Sequence, residues 1–190
     1  MISQPTFFKD VLLIKPVKYS DKRGSFSEYF SKRDLEKIIG RNINLCQDNL
    51  THSKKGVLRG LHYQLPPTAQ SKLVSVILGT VLDVVLDVRK GSPTFGQYMS
   101  QELSAENQFQ LFIPRGFAHG FITLRETSIF QYKVDNYYHP ENEGSVAPND
   151  PVLAIDWKLP EESWIQSEKD LKHPSLMDAT VFDFMEDLYA

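Results

Sequence analysis

One cysteine, Cys46, stands in a chain of 190 residues. A single thiol makes no internal disulfide and no thiolate metal cluster. Long hydrophobic runs are also missing. The longest, near Leu73–Val88, is broken by Asp83 and Asp87 and falls short of the about 20 apolar residues a membrane helix needs. No charged segment leading into an apolar stretch opens the chain. These absences point to a cytoplasmic protein with no membrane partner. Charge of one sign is not in excess: 21 Lys+Arg face 24 Asp+Glu, a net charge of −3. That balance argues against nucleic acid as a partner, although a local arginine cluster can still hold a small phosphate. The nucleophile elbow, the P-loop and the Rossmann glycine fingerprint are absent. Their absence argues against a lipase-like hydrolase, an NTPase and a dinucleotide-dependent dehydrogenase.

What is present reads as one globular domain over residues 1–190, with 41% apolar and 24% charged residues. N-terminal strands fill about 1–45. Val11–Val17 is an edge or first strand, Tyr19–Arg23 with Gly24 a polar turn, and Phe26–Phe30 an alternating strand. Ser31 caps a short helix, Asp34 follows three residues on, Leu35, Ile38 and Ile39 supply its stripe, and Gly40 ends it. From about 45 to 157 short strands and turn residues recur. Leu73–Leu78 and Val81–Val88 read as a hairpin about Gly79–Thr80, with Leu82, Val84, Leu86 and Val88 on one face and Asp83 and Asp87 on the other. Gly96–Leu103, Leu111–Ile113, Phe121–Leu124 and Ile129–Val134 continue the series, the pattern of an antiparallel sandwich or barrel. A C-terminal extension covers about 158–190, in which Ala179–Leu188 is either a short helix or an extended packing arm.

Several pieces carry candidate chemistry. In Arg59-Gly60-Leu61-His62-Tyr63-Gln64 a histidine and an arginine sit close together, a base beside an anion-binding group. In regular strand they face opposite sides, but Gly60 permits a bulge, so their faces stay open at this point. Pro114-Arg115-Gly116-Phe117-Ala118-His119 matches the second motif of cupins, in which the histidine commonly binds metal. The first cupin motif needs a second histidine where this chain has Gln64, and two histidines make a poor metal site. Gln131-Tyr132-Lys133 and Tyr137-Tyr138-His139 offer hydroxyls that serve either packing or proton transfer. Ser167-Glu168-Lys169-Asp170 alone is a solvated charge run. His52 and His173 carry no pattern.

Taken in order, Asp21–Phe30, Gln47–Asn49, Gly56–Gln64, Pro66–Val74, Asp83–Gly96, Phe112–Phe121, Tyr132–Tyr138, Asn149–Pro151, Ile155–Trp157 and Ser167–Asp170 resemble the dTDP-4-dehydrorhamnose 3,5-epimerase family over nearly the whole chain. The resemblance implies a mainly β, antiparallel cupin jelly roll with a few short helices. It also implies a homodimer without metal or cofactor, and a dTDP-4-keto-6-deoxyhexose as substrate. It assigns His62 as base, Asp170 as its carboxylate partner, Tyr132 as proton donor on the other face of the sugar, and Lys72 as the cation at the keto oxygen. Arg23, Phe26, Glu28, Gln47, Asn49, Arg59, His119, Tyr138, Glu143 and Lys169 fall at substrate-contact positions, with Arg23, Phe26 and Glu28 lent across the dimer interface. Two departures from the family pattern, Val146-Ala147-Pro148 and Ser75, bear on nucleotide and sugar preference.

Overall fold

The computed structural model describes residues 1–190. Its strands are β1 (Ile2–Pro5), β2 (Leu12–Lys15), β3 (Lys18–Asp21), β4 (Gly24–Ser27), β5 (Gln47–Lys54), β6 (Leu58–Gln64), β7 (Lys72–Leu78), β8 (Thr80–Asp87), β9 (Arg89–Lys90), β10 (Tyr98–Ser104), β11 (Gln110–Ile113), β12 (Phe117–Thr123), β13 (Thr127–Val134), β14 (Glu143–Ser145) and β15 (Phe182–Asp183). The α-helix is α1 (Lys32–Ile39), too short to cross a membrane. Two sheets carry the architecture. One has the order β1-β2-β11-β7-β13-β5, the other β10-β8-β12-β6-β14. Every pairing within them is antiparallel.

Alternation along the strands sorts the side chains into layers. Val74, Val76 and Phe130 of the first sheet meet Val81, Val85, Phe117 and Phe121 of the second, forming the core between the sheets. The opposite face of β8, with Leu82, Val84 and Leu86, packs under the C-terminal extension, which contributes Leu176 and Phe182 beside Trp157. Trp157 is fully buried and donates its indole N–H to Pro148 O at 2.9 Å. The outer face of the first sheet is covered by α1, where Leu35 packs with Ile14, Ile43, Leu73 and Phe112.

The helix forms as its caps dictate. The Ser31 hydroxyl accepts from Asp34 N, and Gly40 closes the end in the left-handed region at φ 71°. Three local expectations are corrected. Residues Tyr19–Asp21 extend as β3 and pair with β4, Asp21 opposite Gly24, so the turn narrows to Lys22 and Arg23. The strand therefore ends at Ser27, and Tyr29 and Phe30 lie outside it. Finally, β7 and β8 do not pair: β7 lies between β11 and β13, and β8 between β10 and β12. The Gly79 bend carries the chain from one sheet to the other, since two strands buried this deeply both need partners on each edge. The C-terminal segment takes the arm alternative. β15 pairs in parallel with β9, and no helix forms there.

Candidate active site

The bulge that Gly60 permits is what builds the site. His119 pairs with His62 and Phe121 with Arg59, so Gly60 and Leu61 together oppose the single Gly120. The extra residue brings Arg59 and His62 onto the same, inward face. Gly60 is required there: its φ is 120°, and a Cβ on it would lie 2.6 Å from Gly120 Cα and 2.7 Å from His119 O.

Arg59, His62, Lys72, His119, Tyr132, Tyr138, Glu143, Lys169 and Asp170 line one cavity of about 330 Å³ between the sheets, together with Thr51, Gln70, Phe121, Phe130 and Ser167. That volume is at the small end of ligand pockets. His62 comes from β6 in the five-stranded sheet, and Tyr132 from β13 in the six-stranded one, so an imidazole and a phenol face the cavity from opposite walls. Asp170 reaches it from the C-terminal extension. His62 Nε2 stands 2.9 Å from Asp170 Oδ1, across 108 residues of sequence. Burial raises the Asp170 carboxyl, but His62, His173 and the Ser167 hydroxyl outweigh it, so the net shift is downward and the group is held as a carboxylate.

Lys72 begins β7 and donates to His62 O at 3.3 Å. It is nearly inaccessible, and burial pushes its ammonium down to about 8 against the pull of Asp83 and Glu143. Burial also raises the Tyr132 hydroxyl above the ordinary phenol range, which keeps it protonated. At the mouth, Glu143 accepts from Tyr138 at 2.6 Å and from Lys169 at 2.7 Å. Burial raises its carboxyl, and these donors with His62 more than reverse that. Arg59 donates to Ser53 at 3.3 Å. Thr51 Oγ1, in the cavity wall, is buried without a hydrogen-bond partner. Gln47 and Asn49, joined to each other at 2.9 Å, alternate along β5 on the same face as Thr51, beyond the cavity lining.

The three remaining sequence candidates lie elsewhere. Arg23, Phe26 and Glu28 are exposed on and just beyond the β3–β4 hairpin, Phe26 at 69%, and Arg23 pairs with its neighbour Asp21. Within one chain they do not join the cavity. Both departures from the family pattern also lie off it. Val146 is buried in the core under the extension, and Ser75 is on the opposite face of β7 from Lys72 and Val74.

Two partners escaped the sequence. His119 Nε2 meets Asp83 Oδ2 at 2.8 Å, both groups buried. Burial raises the Asp83 carboxyl and lowers the His119 imidazole, so both shifts favour the neutral forms. A carboxylate on the inward face of an otherwise apolar strand was the available sign. His173, which carried no motif, stands with Nε2 3.3 Å from Asp170 Oδ1. His62, Asp170 and His173 thus present donor atoms within 4.8 Å of one another, the one set here of a composition that holds a divalent transition metal. It is a different set from the His62 and His119 pair that the motifs brought forward.

Residues 5–178 match the family described as dTDP-4-dehydrorhamnose 3,5-epimerase. The chain is 48% identical over 182 residues to the dTDP-4-dehydrorhamnose 3,5-epimerase of Salmonella typhimurium, covering 94% of this chain and 97% of that one. Among solved structures, it is similar to the Legionella pneumophila dTDP-6-deoxy-D-glucose-3,5-epimerase in complex with dTDP-4-keto-L-rhamnose. The TM-score there is 0.92 at 44% identity, over 97% of this chain and 99% of that one. It is also similar to a 3'-monoepimerase of Streptomyces bikiniensis in complex with dTDP-quinovose. The TM-score is 0.84 at 33% identity, over 91% of this chain and 87% of that one. On this likeness of sequence and fold, the chain belongs to the dTDP-4-dehydrorhamnose 3,5-epimerase family and is an isomerase of the cupin-like β class.

Proposed function

We propose that the cavity takes dTDP-4-dehydro-6-deoxyglucose and inverts C3 and C5 to give dTDP-4-dehydrorhamnose, with no cofactor. The observation that carries this reading is an imidazole and a phenol on opposite walls of one cavity, with a buried ammonium beside them. The 4-ketone acidifies the C–H bonds on both neighbouring carbons. Inversion then needs a base on one face of the sugar, an acid on the other, and a cation at the enolate oxygen.

His62 takes the proton, and Asp170 holds the imidazole in one tautomer and balances the imidazolium that forms. Lys72 stabilises the enolate, a contribution of about 3–4 kcal/mol for a well-placed donor in a dry site. Tyr132, kept protonated by burial, returns a proton from the far face. Arg59 and Lys169 supply positive charge to the nucleotide diphosphate. His119, Gln47, Asn49, Tyr138 and Glu143 complete the contacts. Residues 1–190 act as one domain. Arg23, Phe26 and Glu28 reach the site of a second copy in a homodimer, which is why they stand exposed on a projecting hairpin. A chain with one unpaired thiol suits the reducing cytoplasm.

Incubation with substrate in D2O tests the reaction and its regiochemistry together. Label is expected at both C3 and C5 with wild-type protein, and at neither with His62→Ala. Label at C3 alone would make the chain a monoepimerase. A metal-dependent cupin reaction predicts activity that a chelator removes. In Tyr132→Phe the enolate still forms, but reprotonation returns from the His62 side. Deuterium wash-in should then survive while formation of inverted product falls about 10²–10⁴-fold. Equal loss of both would place Tyr132 before the enolate, and unchanged epimerisation would remove it from the mechanism.

A further inference from the structure

We infer that His173 is a positioning residue, the outer member of a His62–Asp170–His173 chain that fixes the carboxylate serving the base. The inference rests on the reading of His62 and Asp170 given above.

Local backbone geometry brings the ring back onto the carboxylate. Asp170–Lys172 is a single 3₁₀ turn, closed by His173 N donating to Asp170 O at 3.3 Å. In such a turn residues i and i+3 eclipse, so the side chain of residue 173 lies over that of residue 170. The result is an Nε2 to Oδ1 separation of 3.3 Å, with side-chain exposures of 3% for His173 and 7% for Asp170. His62, at 31%, is the open end of the chain and the only one of the three rings and carboxylates that substrate reaches freely.

Neither nitrogen of His173 has a hydrogen-bond partner. A buried imidazole left that way is costly, and two acceptors are in reach, the Asp170 carboxylate oxygen at 3.3 Å and the Gly60 carbonyl. Burial first, and then the nearby His62, holds His173 in its neutral form. A neutral ring has a single N–H to give. Given from Nε2, it supplies a second donor to the same Asp170 oxygen that faces His62, while the Ser167 hydroxyl accepts from Asp170 N at 3.1 Å and holds the turn. The rings of His62 and His173 also meet edge to face, centroids 5.0 Å apart, so His173 blocks rotation of His62 away from the cavity. With both contacts in place the carboxylate keeps its orientation when the proton arrives on His62.

The substitutions His173→Phe and His173→Gln separate this role from simple packing. Phenylalanine keeps the ring volume and the edge contact but has no N–H. Glutamine places an amide N–H near the position of Nε2 and has no ring. A packing residue tolerates phenylalanine in this buried place and suffers from glutamine. A positioning residue shows the reverse. We expect His173→Phe to lower kcat about 10-fold, as loss of an orienting partner commonly does, with KM unchanged. His173→Gln is expected to recover most of that loss, both variants keeping the wild-type far-UV spectrum. Adding His173→Phe to Asp170→Asn should change nothing further. Wild-type kcat in His173→Phe, beside a slow Asp170→Asn, overturns the role of His173 alone. Wild-type kcat in Asp170→Asn overturns the dyad and His173 with it. Activity lost to EDTA and restored by Zn²⁺ or Mn²⁺ would make His173 a metal ligand and overturn the inference as well.

Discussion

Lys72 at neutral pH holds its proton with little margin, because burial has brought its ammonium down to about 8. A cation at the enolate oxygen is useful only while charged. The value of kcat/KM, which reports the free enzyme, should therefore fall as pH rises through about 8. Lys72→Arg, which stays charged throughout, should move that limb upward even if it lowers the maximum. An unmoved limb in Lys72→Arg would assign it to another group. Stability runs the other way. The folded pKa lies below the unfolded one, so between about 8 and 10.5 the unfolded chain binds more protons. This one group therefore makes folding more favourable as pH rises across that window. Urea midpoints of wild type and Lys72→Met, compared across it, read that difference directly. At this scale the sequence showed which residue types were present but not which atoms meet. His62 and Lys72 stood inside recognisable stretches. Asp170 was a charge in a tail, and its partner lies 108 residues away. His173 had no motif, and Asp83 stood in a recognisable stretch without a role, because what makes them part of the site is contact across the fold.

One glycine decides whether β6 presents its arginine and its histidine together. Gly60→Ala would drive a Cβ into Gly120 Cα and His119 O, at a φ of 120° that other residues avoid. It should cost about 1–3 kcal/mol from the backbone alone and more from the collision, and it should abolish activity by pulling Arg59 and His62 out of phase. Gly40→Ala, at the end of α1 and away from the site, is the matched control. Its φ is 71°, but a Cβ there meets nothing within 4 Å, so stability should fall modestly with kcat kept. Equal effects of the two on kcat, measured beside urea unfolding, would deny the bulge its role. The same contrast explains which elements were legible. The caps of α1 are local, since Ser31, Asp34 and Gly40 act within one stretch of chain. The Gly60 bulge was allowed by local sequence but set by the approach of β12. The partners of β7 and β8 were not local at all. A turn glycine between two apolar runs suits a hairpin and a crossing between sheets alike, and only the strands arriving later in the chain select the second.

The cavity of one chain is lined without Arg23 or Phe26, and both stand exposed on the β3–β4 hairpin. Those two facts fit if each hairpin completes the site of a second copy. Subunit mixing separates that arrangement from a hairpin folding back on its own site. Arg23→Ala dimers should bind substrate weakly, and His62→Ala dimers should be inactive. Each mixed dimer made from the two would contain one site with His62 from one chain and Arg23 from the other, both intact. Its second site would carry both defects. Random exchange makes half of the dimers mixed with one good site in two, so the mixture should recover about a quarter of wild-type activity at low substrate. Recovery needs no refolding of either protomer, only exchange. If the hairpin served its own chain, every site in every mixed dimer would carry one defect, and mixing would recover nothing. Arg23-Gly24 and Glu28 as residues alone could not distinguish the two cases, because which copy a hairpin reaches depends on how the subunits are arranged; only the family resemblance put them across the interface.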